Sequence, residues 1–423
     1  MGATLDYADR LWRGIDTIES GHQLFAQSGL EEVTDGVAFL PTFANVSALS
    51  TDEGLFLVDT GSELTAASVH SSIRKWSDRP LHTAVYSHGH VDHVFGVPVF
   101  QAEAKEKGWR APQVIAHEAL PPRFDRYKLT NGYNAVINQR QFQAPNLQWP
   151  MDYRYPDVTY RDTMTLTIGG VRIELNHARG ETDDHTWTWI PDKKVLCSGD
   201  LFIWASPNAG NPQKVQRYPI EWARALRKMA ALDAEFLLPG HGVPVVGADR
   251  VKTALLDTAA LLESLHEQTV AMMNAGARLD EIIHTVQAPA DLLAKPYLRP
   301  VYDEPEFVVR NIWRLYGGWY DGNPASLKPA PDAAVAGELA DLAGGASALA
   351  DRASALAALG DEASLRLAGH LAEIASLAAP ADAGVHTVRA EVYAKRAEIE
   401  ASTMAKGVFA WAASESRKQA DGT

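Results

Sequence analysis

The sequence predicts an α/β sandwich of two sheets with helices outside, followed by an all-helical region. From about Gly36 to Pro244, short apolar runs alternate with turn signals and helical stretches. That alternation is the mark of strands interleaved with helices. Its two strand-rich sections imply two sheets packed face to face. After about residue 250 the strand-like runs stop, and good helix formers at helical spacing take over.

Taken in order, residues 1–29 form an N-terminal segment in which Asp6, Asp9, Arg10, Arg13 and Asp16 interrupt the apolar residues. No uninterrupted apolar region of the signal-peptide type is present there. Gly36–Leu40, Asn45–Leu49 and Gly54–Asp59 read as successive strands, with Thr51-Asp52-Glu53-Gly54 turning between the last two. Leu64–Trp76 reads as a helix, Thr83–Tyr86 as a strand, Val91–Lys107 as a helix and Pro112–Ala116 as a strand. Gly169-Gly170 joins Met164–Ile168 to Val171–Leu175 in a hairpin, and Pro191-Asp192 joins Thr186–Ile190 to Lys194–Cys197 in another. These elements give a catalytic sandwich over 30–250 and a helical connector over 251–330, ending at Gly322-Asn323-Pro324 and Lys328-Pro329-Ala330-Pro331. Residues 331–423 are about one third Ala with Leu in register, which predicts packed helices rather than a disordered tail.

Composition narrows the function. With 53 acidic and 39 basic residues the chain carries a formal charge of −14, which opposes a protein that grips nucleic acid or anionic membrane. No apolar run approaches the roughly 20 residues of a membrane span. A single cysteine forms neither an intrachain disulfide nor a Cys-rich zinc site. The expectation is a cytoplasmic protein acting on a small molecule.

The most informative segment is Ser87-His88-Gly89-His90-Val91-Asp92-His93, placed between a predicted strand and a predicted helix. Imidazole nitrogen and carboxylate oxygen are good zinc ligands, and so many within six residues on one turn can converge. His88 and His90 fall to one side, and Asp92 and His93 reach toward a second metal.

Together with Leu57-Val58-Asp59-Thr60-Gly61, Cys197-Ser198-Gly199-Asp200 and Leu238-Pro239-Gly240-His241-Gly242, this motif resembles the metallo-β-lactamase superfamily across roughly residues 30–250. The resemblance implies an αβ/βα sandwich with two metal ions at the sheet edges. His88 and His90 would hold the first ion, Asp92, His93 and His241 the second, with Asp200 bridging and Asp59 supporting a ligand or the turn. The position that usually supplies a further histidine to the first metal reads Gly180-Glu181-Thr182 here. Glu181 can fill it; the alternative is that His177 or His185 coordinates while Glu181 makes a salt bridge.

A glutamate at that position is a feature of linear alkylsulfatases, which also carry a helical dimerisation region. Tyr316-Gly317-Gly318-Trp319-Tyr320-Asp321-Gly322-Asn323-Pro324 resembles a signature of theirs, and the Ala-rich helices to about Trp411 resemble that region. Longer members continue into a sterol-carrier-like domain, which is not expected within these 423 residues. The chain also departs from that pattern. Asp200 stands where the family has glutamate, no histidine occurs from Leu201 to Tyr218, and Gln213 replaces an expected arginine.

What the resemblance implies is a homodimeric enzyme with two zinc ions that hydrolyses an alkyl sulfate ester to alcohol and sulfate. Asp92, Asp200 and Tyr316 are its candidate catalytic residues, and Asn208, Lys214, Arg217 and Tyr316 its candidate contacts to the substrate. Phe202, Trp204 and Trp319 could line an apolar trench, with core packing the favoured alternative for each. The alternative is a hydrolase of the same fold acting on a lactone, β-lactam or other ester.

Overall fold

A computed structural model describes residues 2–18 and 29–422. Two sheets form its centre. The first has seven strands in sequence order: β1 Glu31–Thr34, β2 Val37–Leu40, β3 Val46–Thr51, β4 Gly54–Val58, β5 Leu81–Val85, β6 Gln113–His117 and β7 Val158–Tyr160. The antiparallel meander β1–β4 passes into parallel pairing from β4 to β7. That change follows the insertion of helices Ala66–Trp76 and Val97–Lys107, since parallel neighbours need a crossover.

The second sheet has six strands: β8 Thr163–Ile168, β9 Val171–His177, β10 Thr186–Ile190, β11 Val195–Ile203, β12 Phe236–His241 and β13 Val245–Val246. Helix Pro219–Ala230 connects the parallel pair β11 and β12. One core joins the two sheets. Phe39, Leu49, Phe56, Val85 and Ile115 of the first pack with Ile173, Leu175, Ile190, Val195 and Leu238 of the second, the face-to-face sandwich that the alternation predicts. Burial on both faces explains why β4 reads as a continuous apolar run rather than an alternating one.

Two differences from the sequence reading affect the site. The helix expected to begin at Val91 begins at Val97, because the backbone of residues 88–96 is committed to turns instead. Thr60 N–H bonds to His93 O, and Phe95 N–H to Gly61 O. The strand expected to end at Cys197 runs on to Ile203, so Asp200 lies within a strand.

The chain packs as two compact units. The first comprises Met1–Asn131, Pro150–Ala277 and Glu281–Gly318, and thus holds both sheets together with the long helix Ala248–Asn274 and helix Pro305–Gly317. The second comprises Gly132–Trp149, Arg278–Asp280 and Trp319–Thr423. Its helices Asp332–Ala343, Ala346–Ala357, Glu362–Ala378, Ala383–Ile399 and Thr403–Asp421 close around small cores such as Ala353, Leu365, Ala368 and Val392. Asp361, Asp382 and Ser402 cap the last three by accepting from Ser364, Val385 and Ala405 N–H groups, which satisfies otherwise orphaned donors. Among the described residues no helix is long and apolar enough to cross a membrane.

Candidate metal centre

The ligand candidates sit where strands end. Asp59 follows β4, Ser87–His93 follow β5, Glu181 lies between β9 and β10, Asp200 is in β11 and His241 ends β12. The carboxyl ends of parallel strands are the usual place for a site in α/β proteins. Here both sheets bring theirs to one edge.

Two groups of potential ligand atoms result: His88, His90, Glu181 and Asp200, and Asp92, His93 and His241, each within 4.8 Å of one another. Asp200 faces both groups. Its carboxylate lies 3.6 Å from His88 Nε2, 3.5 Å from His93 Nε2 and 3.3 Å from His241 Nε2. A close strand approach makes this possible, since a Cβ on Gly240 of β12 would fall 1.9 Å from Asp200 Oδ1.

Hydrogen bonds behind the ligands fix which nitrogen faces inward. Asp59 Oδ2 pairs with His93 Nδ1 at 2.7 Å, leaving Nε2 toward the cluster. Ser87 Oγ pairs with His88 Nδ1 at 3.0 Å, and the Phe43 carbonyl accepts from His241 Nδ1. Asp59 also accepts from Ser87 N–H and Oγ, both at 2.7 Å. It does so from a left-handed backbone with φ of 59°, a conformation that Asp tolerates better than most residues.

The electrostatics are those of a cation site. Burial pushes the Glu181 carboxyl well above the usual carboxylate range; Asp200 adds to this and Arg217 opposes it. Burial alone would raise Asp200 too, yet the His241, His93 and His88 imidazoles hold it well below that range. Burial depresses His88 and His90. His93 goes well above the ordinary histidine value, because Asp200, Asp59 and Asp92 outweigh its burial. His93 Nε2, Glu181 Oε2 and Asp200 Oδ1 are buried without a hydrogen-bond partner, which is costly unless a bound group satisfies them. The donor set of four imidazoles and three carboxylates fits zinc.

Glu181, rather than His177 or His185, stands among the ligand atoms. His185 Nε2 accepts Asp200 N–H at 3.1 Å, and its ring stacks on His88. His177 bonds to the His185 carbonyl and stacks on His117. Arg217 and Asn208 converge on Glu181: Arg217 pairs with Oε1 at 3.1 Å and also bonds the Glu181 carbonyl, and Asn208 donates to Oε1. Lys214 is partly exposed, and burial of its ammonium, with Arg217 nearby, lowers its pKa to about 8.

Tyr316 is not gathered with these residues. It is 53% exposed, and its hydroxyl pairs with His266 at 2.9 Å. Phe202 and Trp204 are buried in the core against Tyr297, and Trp319 belongs to the second unit.

Sequence reasoning missed Asp184 and Arg123. Asp184 accepts Gly89 N–H at 2.9 Å, so it holds the turn between His88 and His90, and Arg123 pairs with Asp184 at 2.8 Å. The adjacent acids Asp183-Asp184 soon after Glu181 were the available signal. Arg123 had none, being one of two arginines on helix Leu120–Leu129.

Comparison with known proteins agrees with this fold. Residues 40–241 match the family model of the metallo-beta-lactamase superfamily, and residues 278–419 match that of alkyl sulfatase dimerisation. The chain thus combines a region matching the metallo-β-lactamase superfamily with one matching alkyl sulfatase dimerisation, and relatives it matches are alkylsulfatases by name. Among these relatives, it is 31% identical to a linear primary-alkylsulfatase of Pseudomonas sp., over 69% of this chain and 59% of that one. It is 26% identical to the alkyl/aryl-sulfatase BDS1 of Saccharomyces cerevisiae, over 77% of this chain and 54% of that one. It therefore spans little more than half the length of these curated relatives. The solved structure of the stereoselective inverting sec-alkylsulfatase Pisa1 from Pseudomonas sp. shares the fold, with a TM-score of 0.81 and 24% identity, covering 95% of this chain and 67% of that one.

Proposed function

We propose that this protein is a dinuclear-zinc hydrolase that cleaves alkyl sulfate esters to alcohol and inorganic sulfate, and that it works as a homodimer. The observation that carries this reading is Glu181. A carboxylate takes the place of a histidine among the first group of ligands, and a buried guanidinium and an amide are pinned on it. The names of the relatives and the match to a dimerisation model support the reading.

In this reading His88, His90 and Glu181 hold one ion, Asp92, His93 and His241 hold the other, and Asp200 lies between them. Zinc at such a site supplies Lewis acidity and lowers the pKa of bound water toward neutrality. The protein's own part is to orient and to bind. Asp59, Ser87 and the Phe43 carbonyl fix the inward-facing nitrogens of the imidazoles. Asn208, Lys214 and Arg217 offer an amide and two cations to the oxygens of the anionic ester, as charge-assisted donors. These local cations matter because the net charge of −14 opposes an anionic substrate. Tyr316, engaged with His266, has no role in this reading.

The test is sulfate release from dodecyl sulfate by purified, zinc-loaded protein. Turnover no greater than that of a His88→Ala, Asp92→Ala double variant would refute the proposal. A parallel panel of lactones and β-lactams identifies the alternative hydrolase if only those substrates are consumed. For a positive result, oxygen-18 water distinguishes the bond cut, since label in the alcohol means C–O cleavage and label in the sulfate means S–O cleavage.

A further inference from the structure

Residues 278–419 match the dimerisation model, yet Glu281–Gly318 pack within the first unit. The stretch from Arg299 to Arg314 bonds repeatedly to residues 206–217, the loop that carries Asn208, Lys214 and Arg217. Ser206 N–H donates to the Arg299 carbonyl at 2.9 Å. Asp303, fully buried, accepts Gly210 N–H and, at 3.1 Å, Asn211 N–H through one oxygen, while its other oxygen accepts Glu304 N–H at 2.8 Å. Contact there is direct, since a Cβ on Gly210 would fall 2.4 Å from the Phe307 backbone.

Asn311 holds the far end of the loop. Its Oδ1 accepts Arg217 N–H at 3.3 Å and Gln216 Nε2 at 3.0 Å, and its Nδ2 donates to the Arg217 carbonyl at 3.1 Å. Arg314 adds bonds to Asn311 Oδ1, Gln216 Oε1 and the Lys214 carbonyl. Asn311 is buried beside Val308, Val309 and Ile312 on helix Pro305–Gly317. An amide there is costly unless bonded, and an apolar residue would serve packing alone. Asn311 touches no metal ligand. It reaches the site through Arg217, which pairs with Glu181.

We infer that Asp303 and Asn311 are positioning residues that set the site's affinity for the anionic end of its substrate by fixing the 206–217 loop at both ends. This rests on the reading above, in which Asn208, Lys214 and Arg217 meet that end.

The experiment compares zinc-loaded wild type with Asn311→Ala, Asn311→Asp and Asp303→Asn. It measures dodecyl sulfate kinetics, inhibition by inorganic sulfate, zinc content and hydrogen exchange of residues 206–217. For Asn311→Ala, KM and the sulfate Ki are expected to rise together by roughly tenfold, the usual size of losing bonds to a buried amide. kcat should fall by a smaller factor, zinc content should hold, and loop exchange should quicken. Asn311→Asp keeps the acceptor bonds but sets an oxygen, in place of the Nδ2 donor, against the Arg217 carbonyl, so it should recover part of the affinity at most. Asp303→Asn keeps one acceptor oxygen and should loosen Gly210 and Asn211, and it provides the answer if Asn311→Ala fails to fold. Loosened exchange with unchanged KM and Ki would overturn the inference. If wild type itself does not turn over, the functional reading fails while hydrogen exchange still decides whether these residues fix the loop.

Discussion

Asp59 shows how one side chain can organise a site without belonging to the ligand set. Its carboxylate accepts three hydrogen bonds, from Ser87 N–H, Ser87 Oγ and His93 Nδ1, and so ties the end of β4 to the turn that follows β5. Asp59→Ala should lower zinc affinity by about 10- to 100-fold, the usual effect of removing a ligand's supporting partner. Asn at this position tolerates the same left-handed backbone and should be milder; competition against a chromophoric chelator would rank the two. Arg217 makes a second prediction. Its guanidinium and the Glu181 carboxylate are both buried, so Arg217→Ala leaves a buried acid without its partner. The metal-free protein should lose about 3 kcal/mol in urea unfolding. Arg217→Lys should fall between, because an ammonium keeps the charge but not the planar guanidinium geometry that sets Nη1 on both Oε1 and the main-chain carbonyl.

At the scale of elements, helices Ala66–Trp76 and Val97–Lys107 are joined through Glu103. Partial burial raises its carboxyl, but bonds from Lys107, His70 and Arg74 outweigh that and hold it at about 2, below an ordinary value of 4.5. A folded-state pKa below the unfolded one stabilises the protein above the unfolded value, and this is lost as pH falls through the folded one. The stability difference between wild type and Glu103→Gln should therefore be full above pH 4.5 and shrink as pH falls toward 2. Urea midpoints for the pair across that range would show it, and a difference independent of pH would refute it. Elements also show where periodicity runs out. The extension of β11 from Cys197 to Ile203 and the late start of the helix at Val97 both lie at the ligands. There the backbone is held by contacts distant in sequence, such as His185 Nε2 on Asp200 N–H, and local pattern carries no trace of them.

For the molecule as a whole, the gathered ligand candidates predict a stability that depends on metal. Three carboxylates share one buried edge, so chelation should lower the melting temperature and zinc should restore it. Each site would contribute about 2.7 kcal/mol when free zinc is a hundredfold above its Kd. A melting temperature indifferent to chelator would show that the cluster does not take zinc. The second unit exposes Leu342, Leu359 and Leu367, and light scattering is expected to report twice the 46.0 kDa chain mass. A mass of one chain at micromolar concentration would refute the homodimer.

The sequence by itself determined the sandwich, the helical region and the seven ligand candidates. Strand and helix periodicity is local, and the turn after β5 places four ligands within six residues. The tertiary structure decided what depended on distance along the chain. It set Glu181 within a group of candidate ligand atoms and left His177 and His185 outside it, with the Asp200 amide on His185 Nε2 and His117 stacked on His177. It settled Phe202 and Trp204 in the core rather than in a trench, and left Tyr316 with His266. It also brought Asp184 under the ligand turn and Asp303 and Asn311 under the 206–217 loop. The physical reason is the same throughout. A side chain's type limits the chemistry it can do, but only the packed fold sets which partner is within about 3 Å of it.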